Sequence, residues 1–222
     1  MWCIPVADAT FIACMEDILD LYEMPYNPKT PLVCFNETTK QLIMEKQLPL
    51  SPIPGHLERY DYEYKRNGVR NLFIFFEPLI GQRRVMIRER RTKHDFAYAM
   101  KFLVDDLYPQ AECIIVVLDN LNTHTVAALY ETLPPEEAHR LRKKLDFHYT
   151  PKHASWLNMA EIEFSIFARK CLAKRIPNDE VLHIEVDALE DYRNKHNSAV
   201  DWKFTTDNAR IKLKHLYPSY LD

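Results

Sequence analysis

Two acidic side chains and one amide stand where a metal-dependent reaction at a phosphodiester could take place. Asp119 follows an apolar run at 113–118, and Glu161 lies in the stretch KHASWLNMAEIEF. Asn36 ends a shorter apolar run at 31–35. Two-metal phosphodiester chemistry needs carboxylate oxygens that hold Mg²⁺ or Mn²⁺ ions ~3.5–4 Å apart. A third acid would be expected at the end of the first strand, where the chain has Asn36.

The run at 113–118 predicts the strand that would position Asp119. Its Ile and Val content suits a strand buried on both faces of a mixed or parallel sheet. Ligands of open α/β sheets bind just beyond the carboxyl ends of such strands. An Asp-Asn pair is also common in turns and helix caps, so Asp119 alone does not identify a catalytic site.

The periodicity elsewhere predicts a mixed α/β fold built around one sheet, with hairpin strands first and a crossover into the buried strand. Strands are expected at 31–35, 71–79, 83–90, 113–118 and 145–149, with 41–44 as a hairpin partner of the first. Helices are expected at 8–24, 92–107, 123–133, 135–144, 156–173 and 179–194, followed by a basic amphipathic stretch at 207–216.

Composition describes a globular chain and excludes several classes of protein. The 222 residues are 47% apolar and include only three glycines, which leaves no Gly-rich phosphate loop. The apolar runs are too short to cross a bilayer. Five scattered cysteines without a CxxC pair favour a reducing compartment and argue against a zinc site. The net charge of −3 permits nucleic-acid binding without predicting it. The basic segments at 83–91 and 169–175 could equally be solvated faces.

Two longer motifs surround the acids: NLNTHT directly after Asp119, and HYTPKHASWLNMAE ending at Glu161. Both resemble the DDE transposases of the Tc/mariner superfamily, and in particular their bacterial insertion-sequence branch. YDYEYKRNG, NLFIFFEPL, ERRTKHDFA and FTTDNARIKLKHLYP support the resemblance, which covers nearly the whole chain from about Trp2.

The resemblance implies a ribonuclease H-like fold, with a mixed central sheet of about five strands flanked by helices. It implies an endonuclease that cleaves and joins transposon ends with Mg²⁺ or Mn²⁺ in a two-metal site. The implied partners are the terminal inverted repeats and target DNA, bound by a homodimer in the bacterial cytoplasm in association with the nucleoid, with no membrane. Residues 1–30 would be a connector segment with a helix, following a missing N-terminal DNA-binding region. Residues 31–222 would be the catalytic domain with a C-terminal helical extension.

Carried over residue by residue, the resemblance makes Asp119 and Glu161 the second and third catalytic acids and metal ligands. The first falls at Asn36, where the family pattern is Asp followed by Glu and this chain has Asn36-Glu37. Asn supplies a neutral amide oxygen in place of a carboxylate, so we expect weakened metal binding and impaired activity. Glu37 is not expected to replace it, because adjacent strand residues point to opposite faces.

The amide at position 36 leaves two questions open. The Asn could be an engineered substitution that blocks activity and traps an inactive complex, or a natural loss of the acid in a decayed copy. The chain could accordingly be an enzyme that is impaired as written, or a non-catalytic DNA-binding or dimerising module derived from a transposase.

Several further residues have candidate roles around the acids. Lys152 and His153, in the loop before the catalytic helix, suit phosphate contacts better than metal ligation because they have no His or Cys partner at metal spacing. Trp156 is expected to anchor the helix in the core, although an aromatic ring could also stack on an unpaired base. Glu163 is expected to be structural or solvent-facing. The full set of candidate DNA contacts is Asn120, His124, Lys152, His153, Arg169 and Lys170, with Asn120 able instead to shape its loop and His124 able to begin a helix.

Overall fold

One five-stranded mixed sheet forms the centre of the molecule. The computed structural model describes residues 8–47, 50, 53–57, 59, 61–196 and 198–217. The strand order is β3-β2-β1-β4-β5. Strand β2 is antiparallel to both of its neighbours, β1 and β3, and β4 is parallel to both of its neighbours, β1 and β5. The strands are β1 Leu32–Glu45, β2 Tyr64–Glu77, β3 Gln82–Arg88, β4 Ile114–Leu118 and β5 Leu145–Tyr149. The prediction of a mixed sheet of about five strands is confirmed.

Helices cover both faces of this sheet and create two separate cores. One face packs against α1, α5 and α6, and the other against α2, α3 and α4. The helices are α1 Ala9–Glu23, α2 Lys93–Phe102, α3 Val126–Thr132, α4 Pro135–Lys144, α5 Met159–Lys170, α6 Asp179–Lys195 and α7 Thr206–Lys212. A π-helical segment, Leu103–Leu107, continues α2, and 3₁₀ turns occupy Ser155–Leu157 and Lys214–Leu216. No described helix is long and apolar enough to span a membrane.

Strand β4 is buried on both faces, as its apolar run predicts. All five of its side chains are buried, and they alternate between the two cores. The same alternation runs along β1, where Cys34 faces α1 and α5 while Phe35 faces α2. Asn36 therefore continues the face covered by α5, and Glu37 continues the opposite face.

The expected break after residue 35 and the separate strand at 41–44 are wrong. Strand β1 continues through the polar residues 36–40, because each of them pairs with a residue of β2. The ladder shifts register only between Gln41 and Ile43. Continuous burial stops after Asn36, but backbone pairing with β2, a strand of equal length, carries β1 onward.

Local sequence signals predict the start of α2 correctly and the start of α5 incorrectly. Thr92 and Asp95 form the capping box predicted for α2. Helix α5 begins at Met159, three residues later than expected, with Asn158 as its N-cap. Trp156 is consequently on the 3₁₀ turn, 46% exposed and edge-on to Phe204 at 6.4 Å. It is not the core anchor that the sequence suggested.

Candidate active site

Asn36 and Asp119 lie just beyond the stretch in which β1 pairs with β4; β4 ends there, whereas β1 continues along β2 to Glu45. These parallel strands are in register through Cys34 and Val117. Asn36 and Asp119 are each two residues further along, so both project toward the face covered by α5. Parallel strands end at the same edge of a sheet, which is where open α/β folds bind their ligands.

A buried amide holds the start of α5 against β1 next to Asn36. Asn158 Oδ1 accepts a hydrogen bond from the Ala160 backbone N–H at 3.0 Å, and its Nδ2 donates to the Phe35 carbonyl at 2.8 Å. The Asn158 side chain is fully buried. Glu161 is in the first turn of this helix, so the same amide sets its position relative to Phe35 of β1.

Helix α1 fixes the turn that precedes α5. The Tyr22 hydroxyl donates to the Leu157 carbonyl at 2.5 Å and lies 3.4 Å from Cys34 Sγ. Burial raises the pKa of the Tyr22 hydroxyl well above its ordinary value, so the phenol stays protonated and remains a donor. Three separate segments are thereby joined at the base of the site.

The carboxylate of Asp119 has one oxygen engaged and one free. Oδ1 accepts from His124 Nδ1 at 2.6 Å and lies 3.4 Å from the Leu121 backbone N–H. Oδ2 has no hydrogen-bond partner among the described residues. Burial by itself would lower the pKa of His124, but the neighbouring carboxylates of Asp119 and Glu37 outweigh it and raise that pKa.

The types of donor in this region suit a hard divalent cation. Asp119 and Glu161 supply carboxylate oxygens, which Mg²⁺ and Mn²⁺ prefer. Asn36 supplies only an amide oxygen, and that oxygen already accepts from the Glu37 backbone N–H at 2.7 Å. Within the described part of the chain, no three His, Cys, Asp or Glu side chains are grouped as a metal site.

Three of the candidate DNA contacts lie beside Asp119. Asn120, Lys152 and His153 are exposed and line, with Asp119, a cavity of about 330 Å³. His153 has the left-handed backbone conformation, with φ of 65°, which is uncommon outside glycine. The Asn120 amide donates to the Thr150 carbonyl and so ties together the loops after β4 and β5, as expected of a loop-shaping residue.

The other candidate contacts are placed differently. Arg169 and Lys170 are exposed at the far end of α5, about 12 Å along the helix from Glu161. His124 is fully buried and bonded to Asp119, so its predicted contact with DNA is not supported. Several basic residues of the two expected patches are in ion pairs instead; for example, Arg83 pairs with Glu163 and Arg175 with Glu45. The buried Glu163 also pairs with Arg193 of α6. Glu163 is therefore structural.

Two functional features were not identified from the sequence. Asn158 has an available signal, because Asn immediately before a helix is a favoured N-cap. The contact of Glu37 with His124 has none, since 87 residues separate them and nothing local links the two positions.

Comparisons with known proteins support a single family. A family model described as DDE superfamily endonuclease matches residues 31–183. No curated protein sequence gives a significant match. Solved structures of similar fold include the Mos1 mariner paired-end complex with Mn, at TM-score 0.57 and 11% identity over 89% of this chain and 60% of that one. A pre-cleavage Mos1 transpososome has a TM-score of 0.55 and 12% sequence identity, over 100% of this chain and 68% of that one. The likeness confirms the ribonuclease H-like fold, and the chain spans about 60% of the first of these structures.

Proposed function

Because the chain belongs to the DDE superfamily endonuclease family, we propose that it is a transposase catalytic domain that cleaves and joins DNA at transposon ends. The observation that supports this proposal is the placement of Asn36 and Asp119 two residues beyond the last paired residues of β1 and β4, with the first turn of α5 fastened to β1 by Asn158. In the proposal, Asn36, Asp119 and Glu161 are the first, second and third positions of a DDE site. DNA as substrate and a homodimer on paired ends are part of the proposal.

Asp119, Glu161 and the amide of Asn36 would hold the divalent cations. Bound there, Mg²⁺ or Mn²⁺ would activate an attacking oxygen and stabilise the charge that develops on the phosphate. Asp119 presents its free Oδ2 toward that position while Oδ1 stays bonded to His124. Exposed Lys152 and His153, on the same cavity, would bind the phosphate backbone and orient it. Arg169 and Lys170 would contact DNA further along α5.

The amide at position 36 makes the protein, as written, a strongly impaired enzyme. Two carboxylates in place of three reduce the attraction for two divalent ions that repel each other at short range. The corresponding experiment restores the charge with Asn36→Asp and measures Mn²⁺-dependent nicking of DNA that carries the transposon ends. We expect nicking by Asn36→Asp, little by the unaltered chain, and none when Asp119→Ala or Glu161→Gln is added.

Glu180→Gln is the matched control for Glu161→Gln, because Glu180 is an exposed acid in the first turn of α6. It should leave nicking by the Asn36→Asp protein unchanged. Loss of nicking in both Gln variants would show that the assay responds to charge anywhere on the surface, and the assignment of Glu161 would fail.

Asn36 also favours a second function, that of a non-catalytic DNA-binding or dimerising module. Its side chain is only 8% exposed and its amide oxygen is satisfied by the backbone, so the position tolerates the neutral residue. Failure of Asn36→Asp to bind Mn²⁺ or to nick, together with retained DNA binding in a mobility-shift assay, would favour this module over the enzyme.

A further inference from the structure

Beside the proposed metal site, a chain of charged side chains crosses from one face of the sheet to the other. Asp119 Oδ1 is 2.6 Å from His124 Nδ1, and His124 Nε2 is 3.7 Å from Glu37 Oε2. Arg91 Nη1 lies 3.6 Å from Glu37 Oε1. His124 is fully buried and the Glu37 carboxylate is 4% exposed, whereas Arg91 reaches solvent. A row of ionisable side chains therefore runs from Arg91 to Asp119.

Aromatic rings restrict how the imidazole of His124 can turn. Phe96 of α2 stacks on it with ring centres 4.8 Å apart, and Phe35 meets it edge-on at 5.4 Å. The Tyr149 hydroxyl donates to the His124 carbonyl at 2.9 Å, which also fixes the backbone. A ring held on both sides in this way offers Nδ1 in one direction only, toward Asp119.

The contact with Asp119 requires a proton on Nδ1 of the ring, and Glu37 favours a second proton on Nε2. With the proton on Nε2 alone, the Nδ1 lone pair would face the lone pairs of the Asp119 oxygen at 2.6 Å, which is repulsive. A proton on Nδ1 makes that contact a hydrogen bond, and a second proton on Nε2 faces the Glu37 carboxylate. At 3.7 Å the Glu37 contact is longer than a hydrogen bond, so it acts through charge.

We propose that His124, held by Glu37, is a positioning residue that fixes Asp119 with Oδ1 engaged and Oδ2 free for a divalent cation. This inference rests on the proposed function only in the identity of Asp119 as a metal ligand. Hydrogen-bonded outer partners orient ligating groups, and removing such a partner typically lowers metal affinity about 10–100-fold. Glu37 thereby has a role that does not require it to replace the acid absent at position 36.

The first experiment measures Mn²⁺ affinity by calorimetry in the Asn36→Asp background. We expect His124→Leu to weaken binding about 10–100-fold. His124→Asn, whose amide N–H can take the place of Nδ1–H, should restore affinity close to the background value, and Glu37→Gln should fall between the two. Equal affinity in His124→Leu and the background would overturn the proposal, as would an Asn variant as weak as the Leu variant.

His148→Leu is the matched control. His148 also lies between two carboxylates, with Nδ1 2.7 Å from Asp17 and Nε2 3.3 Å from Asp146, but it joins β5 to α1. It should change stability without changing Mn²⁺ affinity. A similar loss of affinity in His148→Leu and His124→Leu would indicate general loosening of the fold and would overturn the proposal.

A metal-free measurement separates this inference from the proposed function. The Nδ1–H of His124 should give a low-field proton resonance in NMR spectra of the unaltered chain, and Asp119→Asn should shift it strongly. Glu37→Gln should shift it too, while Glu180→Gln should not. The positioning role is refuted if the resonance is absent, or if Glu37→Gln does not shift it, whether or not Asn36→Asp binds Mn²⁺. Failure of Mn²⁺ binding with this resonance intact refutes only the metal site.

Discussion

Removal of the Asn158 side chain should destabilise the protein more than the loss of an ordinary helix cap. Asn158→Ala deletes the N-cap acceptor of α5, which typically costs about 1 kcal/mol. It also leaves the Phe35 carbonyl without the buried donor at 2.8 Å, and an unsatisfied buried group costs about 1–3 kcal/mol. The free energy of unfolding should therefore fall by about 2–4 kcal/mol.

Asn178→Ala is the matched control for this prediction. Asn178 caps α6 through the Val181 backbone N–H at 2.9 Å but is exposed and makes no second contact of that kind in the described structure. Its removal should cost only the cap, about 1 kcal/mol. The difference between the two Ala variants in free energy of unfolding measures the contribution of the hydrogen bond from Asn158 to the Phe35 carbonyl.

Urea denaturation followed by circular dichroism measures both variants. For a chain of this length, each kcal/mol should also lower the melting temperature by about 2–4 °C. Asn158→Asp adds a further check, because it keeps the cap acceptor but loses the donor to Phe35 and should still be destabilised. Equal losses in Asn158→Ala and Asn178→Ala would refute the claim that this amide fastens the catalytic helix to the sheet.

Two further predictions concern a glycine and a histidine away from the site. Gly81→Ala should destabilise the protein severely in thermal melts, because Gly81 has φ of +65° and the backbone after α6 occupies the place of a Cβ. Gly55 has φ of +83° but open space around it, so Gly55→Ala should lower the free energy of unfolding by only about 1 kcal/mol. Burial alone would lower the pKa of His148, but Asp17 and Asp146 raise it above the unfolded value. The stabilisation by protonated His148 is thus present below the unfolded pKa and lost as pH rises through the folded pKa. The urea midpoint should therefore fall less with rising pH in Asp17→Asn than in the unaltered protein.

The sequence predicts the parts of this fold that depend on local signals. The apolar run of β4, the capping box of α2 and the alternation of β3 at the sheet edge each depend on residues close together in the chain. The length of β1 could not be predicted in this way. Its polar half is a strand only because β2 pairs with it, and that pairing is a property of two segments far apart.

The candidate site divides along the same line. The motifs place Asp119 directly after β4 and Glu161 in a helix, as the structure has them, whereas Asn36 lies inside β1 and not at a strand end. How α5 is held over the sheet depends on Asn158 reaching a carbonyl 123 residues away. The burial of His124, which removes it from the candidate DNA contacts, likewise follows from packing against Phe35 and Phe96.

The pair Asn36-Glu37 shows how one local rule and one tertiary contact combine. Strand alternation indicates that Glu37 points away from the proposed metal site, because it faces the opposite core from Asn36. An unpaired buried charge is costly, and Arg91 lies 3.6 Å from Glu37 Oε1. His124 is a second neighbour of Glu37 and connects it back to Asp119 around the edge of the sheet. Under the proposed function, the amide at position 36 removes a charge from the site but leaves the contacts proposed to orient Asp119 in place. We therefore expect a single Asn36→Asp change to be sufficient for metal binding.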